Sequence, residues 1–166
     1  MKRKTFLKKG LLGAGLLSAG FSGFSQDKTA NNFSLEEIKE FVFAAHNDFD
    51  KVKKIITEKP LILNCANQSQ KGDFETAMGG ASHMGRKDIA DILVERGARL
   101  DIFNHCFLGH LDLVKSLIKT YPHYLKSYGP HGFTLLHHAK AGKHEDFAKW
   151  LIDQGLTERH FKHVFK

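Results

Sequence analysis

Cysteine, proline and tryptophan are scarce in this chain, with two, three and one among 166 residues. Two cysteines are too few for a disulfide scaffold or a four-cysteine zinc site. Three prolines leave most of the chain free to be helical. Also missing are a Gly-x-Ser-x-Gly elbow, a phosphate-binding loop and a His-Glu-x-x-His pair, so the common catalytic motifs are absent. Acidic residues are absent from positions 1–25, which carry Lys2, Arg3, Lys4, Lys8 and Lys9. These five bases supply most of the formal charge of +7; setting them aside leaves 20 bases against 18 acids. Global charge therefore does not argue for nucleic acid. The whole chain is 42% hydrophobic and 26% charged, the composition of one globular domain.

The N-terminus has the pattern of an export signal. A basic head at 2–9 precedes the weakly apolar run Gly10 to Phe24, whose 15 residues fall short of the roughly 20 a spanning helix needs. Gly23 and Ser25 then offer a small-residue exit before Gln26. Arg3-Lys4-Thr5-Phe6-Leu7-Lys8 resembles a twin-arginine motif, with Lys4 in place of the second arginine. The expectation is a signal peptide at 1–25 and a flexible leader at 26–33. The mature protein is then periplasmic or extracellular, with no stable membrane insertion after cleavage.

The body repeats. Val52, Ile89, Leu113 and Phe147 are separated by 37, 24 and 34 residues, and the same intervals relate Ile56, Leu93, Leu117 and Leu151. A column of small residues, Ala44, Ala81 and Ala139, shares the intervals, with His105 as its misfit. Within each unit a short apolar helix precedes a longer one with helical spacing. Thr134-Leu135-Leu136-His137, the weaker Thr76-Ala77-Met78-Gly79, Gly109-His110 and Gly97-Ala98 punctuate these units. Together these residues resemble the ankyrin-repeat family. The resemblance implies an all-α solenoid of about four helix-turn-helix units over 34–157, with 158–166 as a tail that covers the open end. It also implies helix caps at Thr76 and Thr134, and left-handed helix ends at Gly97 and Gly155. The interval of 24 is about nine residues short of the family's period. The third unit, near Asp101 to His105, is therefore expected to lack its β-hairpin finger.

Eleven histidines raise the question of a metal. His137 and His138 are adjacent on a helix and diverge by about 100°. His105 and His110 are five apart rather than four, and His160 and His163 lie in the tail. None forms a ligand pattern by spacing, so neither a metal nor a cofactor is expected. Asp73 and Glu75, two apart, share one face of an extended finger and are expected as a solvated acidic patch. Lys51, Lys53, Lys54, Lys115 and Lys119 are expected on solvated helix faces, with no nucleic acid as partner. The resulting expectation is a non-enzymatic module that binds a protein of unknown identity through its concave face. That face would hold Asn47, Asp73, Glu75, His83, Met84, Phe107, Leu108, His131 and Phe133. Phe107 and Leu108 would stand in a notch left by the missing finger, unless the Tyr121–Tyr128 connection folds over it. The alternative is a periplasmic metal-binding or hydrolytic factor that uses the histidines.

Overall fold

The computed structural model describes residues 32–160. The expected signal peptide, nearly all of the leader and the end of the tail lie outside the described residues. Eight α-helices follow in four pairs: α1 Leu35–Ala44 with α2 Phe49–Glu58, α3 Ala77–His83 with α4 Lys87–Glu95, α5 Ile102–Phe107 with α6 Leu111–Thr120, and α7 Leu135–Ala141 with α8 Glu145–Asp153. One antiparallel hairpin, β1 Ala66–Gln70 and β2 Asp73–Thr76, leads into α3. The first helix of each pair packs on the first helix of the next. Among the described residues no helix is long and apolar enough to cross a membrane.

Helix starts follow the local chemistry. Ser34 accepts from the Glu37 N–H, while the Glu37 carboxylate accepts from the Ser34 N–H, closing a capping box on α1. Asp101 and Asn104 do the same for α5. Thr76 caps α3 by accepting from Gly79 N at 3.1 Å. Thr134 does not cap α7 with its side chain; its hydroxyl donates instead to the carbonyl of Glu158. Gly97 and Gly155 end their helices at φ +87° and +88°, a region in which a Cβ is strained.

The apolar columns form the core with one correction of register. Val52, Ile89 and Phe147 are buried, but the third-unit residue is Val114, and Leu113 faces solvent. Likewise Ile56, Leu93 and Leu151 align with buried Ile118 rather than Leu117. A shift of one residue makes the intervals 37, 25 and 33, and it places Cys106 where His105 was the misfit. Cys106 is buried with Ala81 and Ala139, and desolvation pushes its thiol far above the usual range. The slip arose because Leu113 and Val114 are both apolar, and only the helix phase distinguishes them.

The connections differ from unit to unit. Among the described residues only the second pair is preceded by a hairpin, and α5 starts directly at its Asp101 cap. Before α7 the chain instead makes two 3-10 turns, Pro122–Lys126 and Pro130–Gly132. This strap packs Tyr124 and Leu125 on the C-terminal core and sets Gly129 against the Phe103 ring, where a Cβ would approach to 3.1 Å. The gap beside α5 is thus occupied, and Phe107 is only 3% exposed. Of the two arrangements left open for Phe107, an exposed notch or ordinary core, the structure has the second, with Phe107 packed into the N-terminal core.

Candidate metal centre

The hairpin is inside-out. Strand alternation sends Asp73 and Glu75 to one face and Phe74 to the other, as the spacing implies. Yet the acids are the buried face, 0% and 2% exposed, while Phe74 is exposed. The expected solvated acidic patch is therefore corrected. Burying two carboxylates is costly unless cationic or hydrogen-bonding partners meet them. Among the described residues, the ion-pair partners of both acids are histidines alone.

Three imidazoles from three parts of the chain converge on Glu75. His46 follows α1, His83 is the last residue of α3, and His131 lies in the second turn of the strap. Nε2 of His83 is 2.8 Å from Glu75 Oε1, while Nε2 of His131 and of His46 lie 3.3 and 3.5 Å from Oε2. The four donor atoms fall within 4.8 Å of one another.

Neighbouring groups decide which nitrogen each ring presents. His46 Nδ1–H donates to the Val42 carbonyl at 3.0 Å, which leaves Nε2 of the neutral ring as a lone pair. His131 Nδ1–H donates to Asp73 Oδ2 at 2.7 Å, and its backbone N–H donates to Oδ1 at 3.0 Å. That pair of bonds holds His131 at φ 58°, a left-handed conformation unusual for a residue with a side chain. With Nδ1 as the donor to Asp73, the neutral form of the ring would turn a lone pair at Nε2 toward Glu75 Oε2. A ring nitrogen bonded to a carbonyl or carboxylate while the other faces outward is the arrangement that orients metal-ligating histidines. Nδ1 of His83 is buried and has no hydrogen-bond partner among the described residues. The ring is positioned by stacking instead, against Phe133 at 5.0 Å between centroids and edge-on to His46 and His131. Behind it, His137 Nε2–H donates to the His83 carbonyl at 2.8 Å. Burial holds the His137 ring below the usual histidine range.

Lone pairs facing a buried carboxylate repel it unless a cation lies between them. A divalent ion would supply two positive charges against the two carboxylates. Metal–donor bonds of about 2.0–2.1 Å in a tetrahedron put donor atoms about 3.3 Å apart; the His131 and His46 edges to Glu75, 3.3 and 3.5 Å, match this, whereas the His83 edge of 2.8 Å is a hydrogen-bond distance that an ion would have to widen. The side chains of His46 and His131 are 20% and 31% exposed against 5% for His83, so the cluster opens to solvent on one side.

Several expectations change here. The expectation of no metal rests on the lack of ligand spacing within any one element, and the structure corrects it. The cluster instead joins residues 37 and 48 positions apart. His46 and His83 share the interval of the first repeat, a column of two histidines that was available as a signal. His137–His138 and His105–His110 do not contribute ligands. Of the nine residues assigned to a concave face, Asp73, Glu75, His83 and His131 belong to this cluster. Phe133 stacks against His83 and His137, Phe107 is buried and Leu108 is half-buried. Asn47 and Met84 are exposed. A concave protein-binding face as the sole function is overturned by the buried cluster. So is the expectation of a chain without chemistry of its own, since three imidazoles and a carboxylate are donors from which metal-assisted catalysis is built.

No family model matches this chain, and no curated protein matches it. The expected descriptors, ankyrin repeat and protein binding from the resemblance and signal peptide and periplasm from the N-terminal pattern, give way to a compact helical domain with a candidate metal cluster.

Proposed function

We infer that this domain binds one divalent transition-metal ion through Nε2 of His46, His83 and His131 and the carboxylate of Glu75, with Asp73 orienting His131. The observation that carries this reading is the convergence of the three imidazoles on one buried carboxylate, with no lysine or arginine paired to it among the described residues. An imidazole-rich set with a single carboxylate favours zinc over magnesium or calcium, which prefer oxygen. Four protein donors would fill a tetrahedral shell, as in structural sites, so the exposure of His46 and His131 gives water a route to the ion only if the shell widens to five. The helix pairs are read in the same proposal as an open solenoid. Its support is the 33-residue interval between Cys106 and Ala139 and the serial contact of first helices.

The test is competition for zinc against a chromophoric chelator, using protein stripped of metal. One ion per chain is expected, with affinity falling at least 100-fold in Glu75→Gln and His83→Ala. Absence of uptake, or equal affinity in both variants, would overturn the reading.

A further inference from the structure

The turn that carries His131 also carries the C-terminal segment. The His131 carbonyl accepts from His160 Nε2 at 2.7 Å. Two residues on, Phe133 forms an isolated antiparallel bridge with His160. Thr134 donates from its backbone N–H to the Arg159 carbonyl at 3.2 Å, and its hydroxyl donates to the Glu158 carbonyl. The hydroxyl that would ordinarily cap α7 is thereby diverted to the tail. His160 also packs its ring 4.9 Å from Phe133, whose ring meets those of His83, His131, His137 and His138 as well.

We propose that metal binding and docking of residues 158–160 are one coupled switch, with the turn 130–134 as the shared part. The proposal rests on the metal reading above and adds regulation to that site. The physical basis is the strained backbone at His131. Its left-handed conformation persists only where its surroundings over-determine it. On one side, Asp73 and an ion at Nε2 hold the ring. On the other, His160 holds the carbonyl of the same residue. Each clamp keeps the turn in the shape the other needs. Coupling of this kind is reciprocal: whatever factor the ion adds to tail docking, the docked tail adds to ion affinity. His160 and Thr134 are then positioning residues for a metal they do not touch.

Two measurements on the full chain test the proposal. The first is zinc affinity by chelator competition in wild type, His160→Ala and Thr134→Val; valine offers no ligand atom and is close in shape to threonine. The second is hydrogen exchange of the peptide spanning 129–134, with and without zinc. Orienting partners outside the ligand shell are worth about 10–100-fold in metal affinity. Both variants should therefore bind zinc about tenfold more weakly while keeping one ion per chain. In wild type, zinc should slow exchange at the Thr134 amide, and in His160→Ala that protection should shrink by a similar factor. Wild-type zinc affinity in both variants, with exchange at 129–134 indifferent to zinc, overturns the switch and leaves the metal site standing. Failure of the wild type to bind zinc at all overturns the metal reading, and the switch with it.

Discussion

His83 and His138 are both buried, and each leaves one ring nitrogen without a protein partner. Their surroundings differ. His138 donates from Nδ1 to the Thr134 carbonyl and places its ring among Phe103, Phe133 and His137, with no carboxylate bonded to it. Desolvation pushes it down to about 3, so it is a neutral packing group whose bare Nε2 faces apolar core. His83 presents Nε2 to a buried glutamate that two further imidazoles also approach. Burial alone keeps an imidazole neutral with a lone pair available. A second buried charge, and other lone pairs aimed at the same point, turn that neutral ring into a candidate ligand.

The largest effect expected from this contrast is on stability with metal. An ion that binds only the folded state, at a free concentration 1,000 times its Kd, stabilises by about 4 kcal/mol. Wild type and His138→Leu should both gain this on zinc addition and lose it on chelation, as read by denaturant midpoints. Glu75→Gln should gain almost nothing. A zinc-dependent shift in Glu75→Gln equal to wild type would show that the ion binds elsewhere.

Acid should separate the two histidines next. His138 has a folded pKa near 3 against an unfolded value of 6.5. Between those values the unfolded chain takes up a proton that the folded chain refuses, so stability falls as pH drops through that window. The full contribution is present above pH 6.5 and is lost progressively down to 3, at about 1.4 kcal/mol per pH unit. From pH 6.5 to 5, wild type should therefore lose about 2 kcal/mol more than His138→Leu in denaturant unfolding without metal. Parallel pH dependences in the two proteins would contradict the assignment of His138 as a neutral core group.

The helix pairs are legible in the chain because burial imposes a period on apolar residues. Ile89 and Leu93 or Phe147 and Leu151 mark an inward face wherever they recur. The third unit was misplaced by one residue where Leu113 and Val114 stand together. The centre was less legible for a different reason. Alternation places Asp73 and Glu75 on one face but does not tell which face is inward. The ordinary preference for burying Phe74 points the wrong way. His131 was still harder to assign, since it enters the cluster through a turn with no counterpart in the other units. The repeated column of His46 and His83 was the one readable trace of the site.

The smallest effect concerns two neighbouring glycines of α3, and it is the sharpest. A Cβ built on Gly80 would stand 2.9 Å from Cε1 and 3.0 Å from Nδ1 of His46, and 3.4 Å from the Val42 carbonyl that Nδ1 bonds. On Gly79 the nearest atoms would lie 3.5 Å away or more, an ordinary contact. The clash at Gly80 is with a side-chain ring rather than backbone, so the helix survives by swinging His46 aside. Alanine also favours a helix over glycine by about 1 kcal/mol, which offsets the lost Val42 bond, itself worth about 1 kcal/mol. Gly80→Ala without metal should therefore melt close to wild type, while its zinc affinity drops about tenfold through loss of the oriented His46 ligand. Gly79→Ala should keep wild-type affinity. Equal zinc binding in the two alanine variants would mean that His46 is not a ligand, and that Glu75, His83 and His131 hold the ion without it.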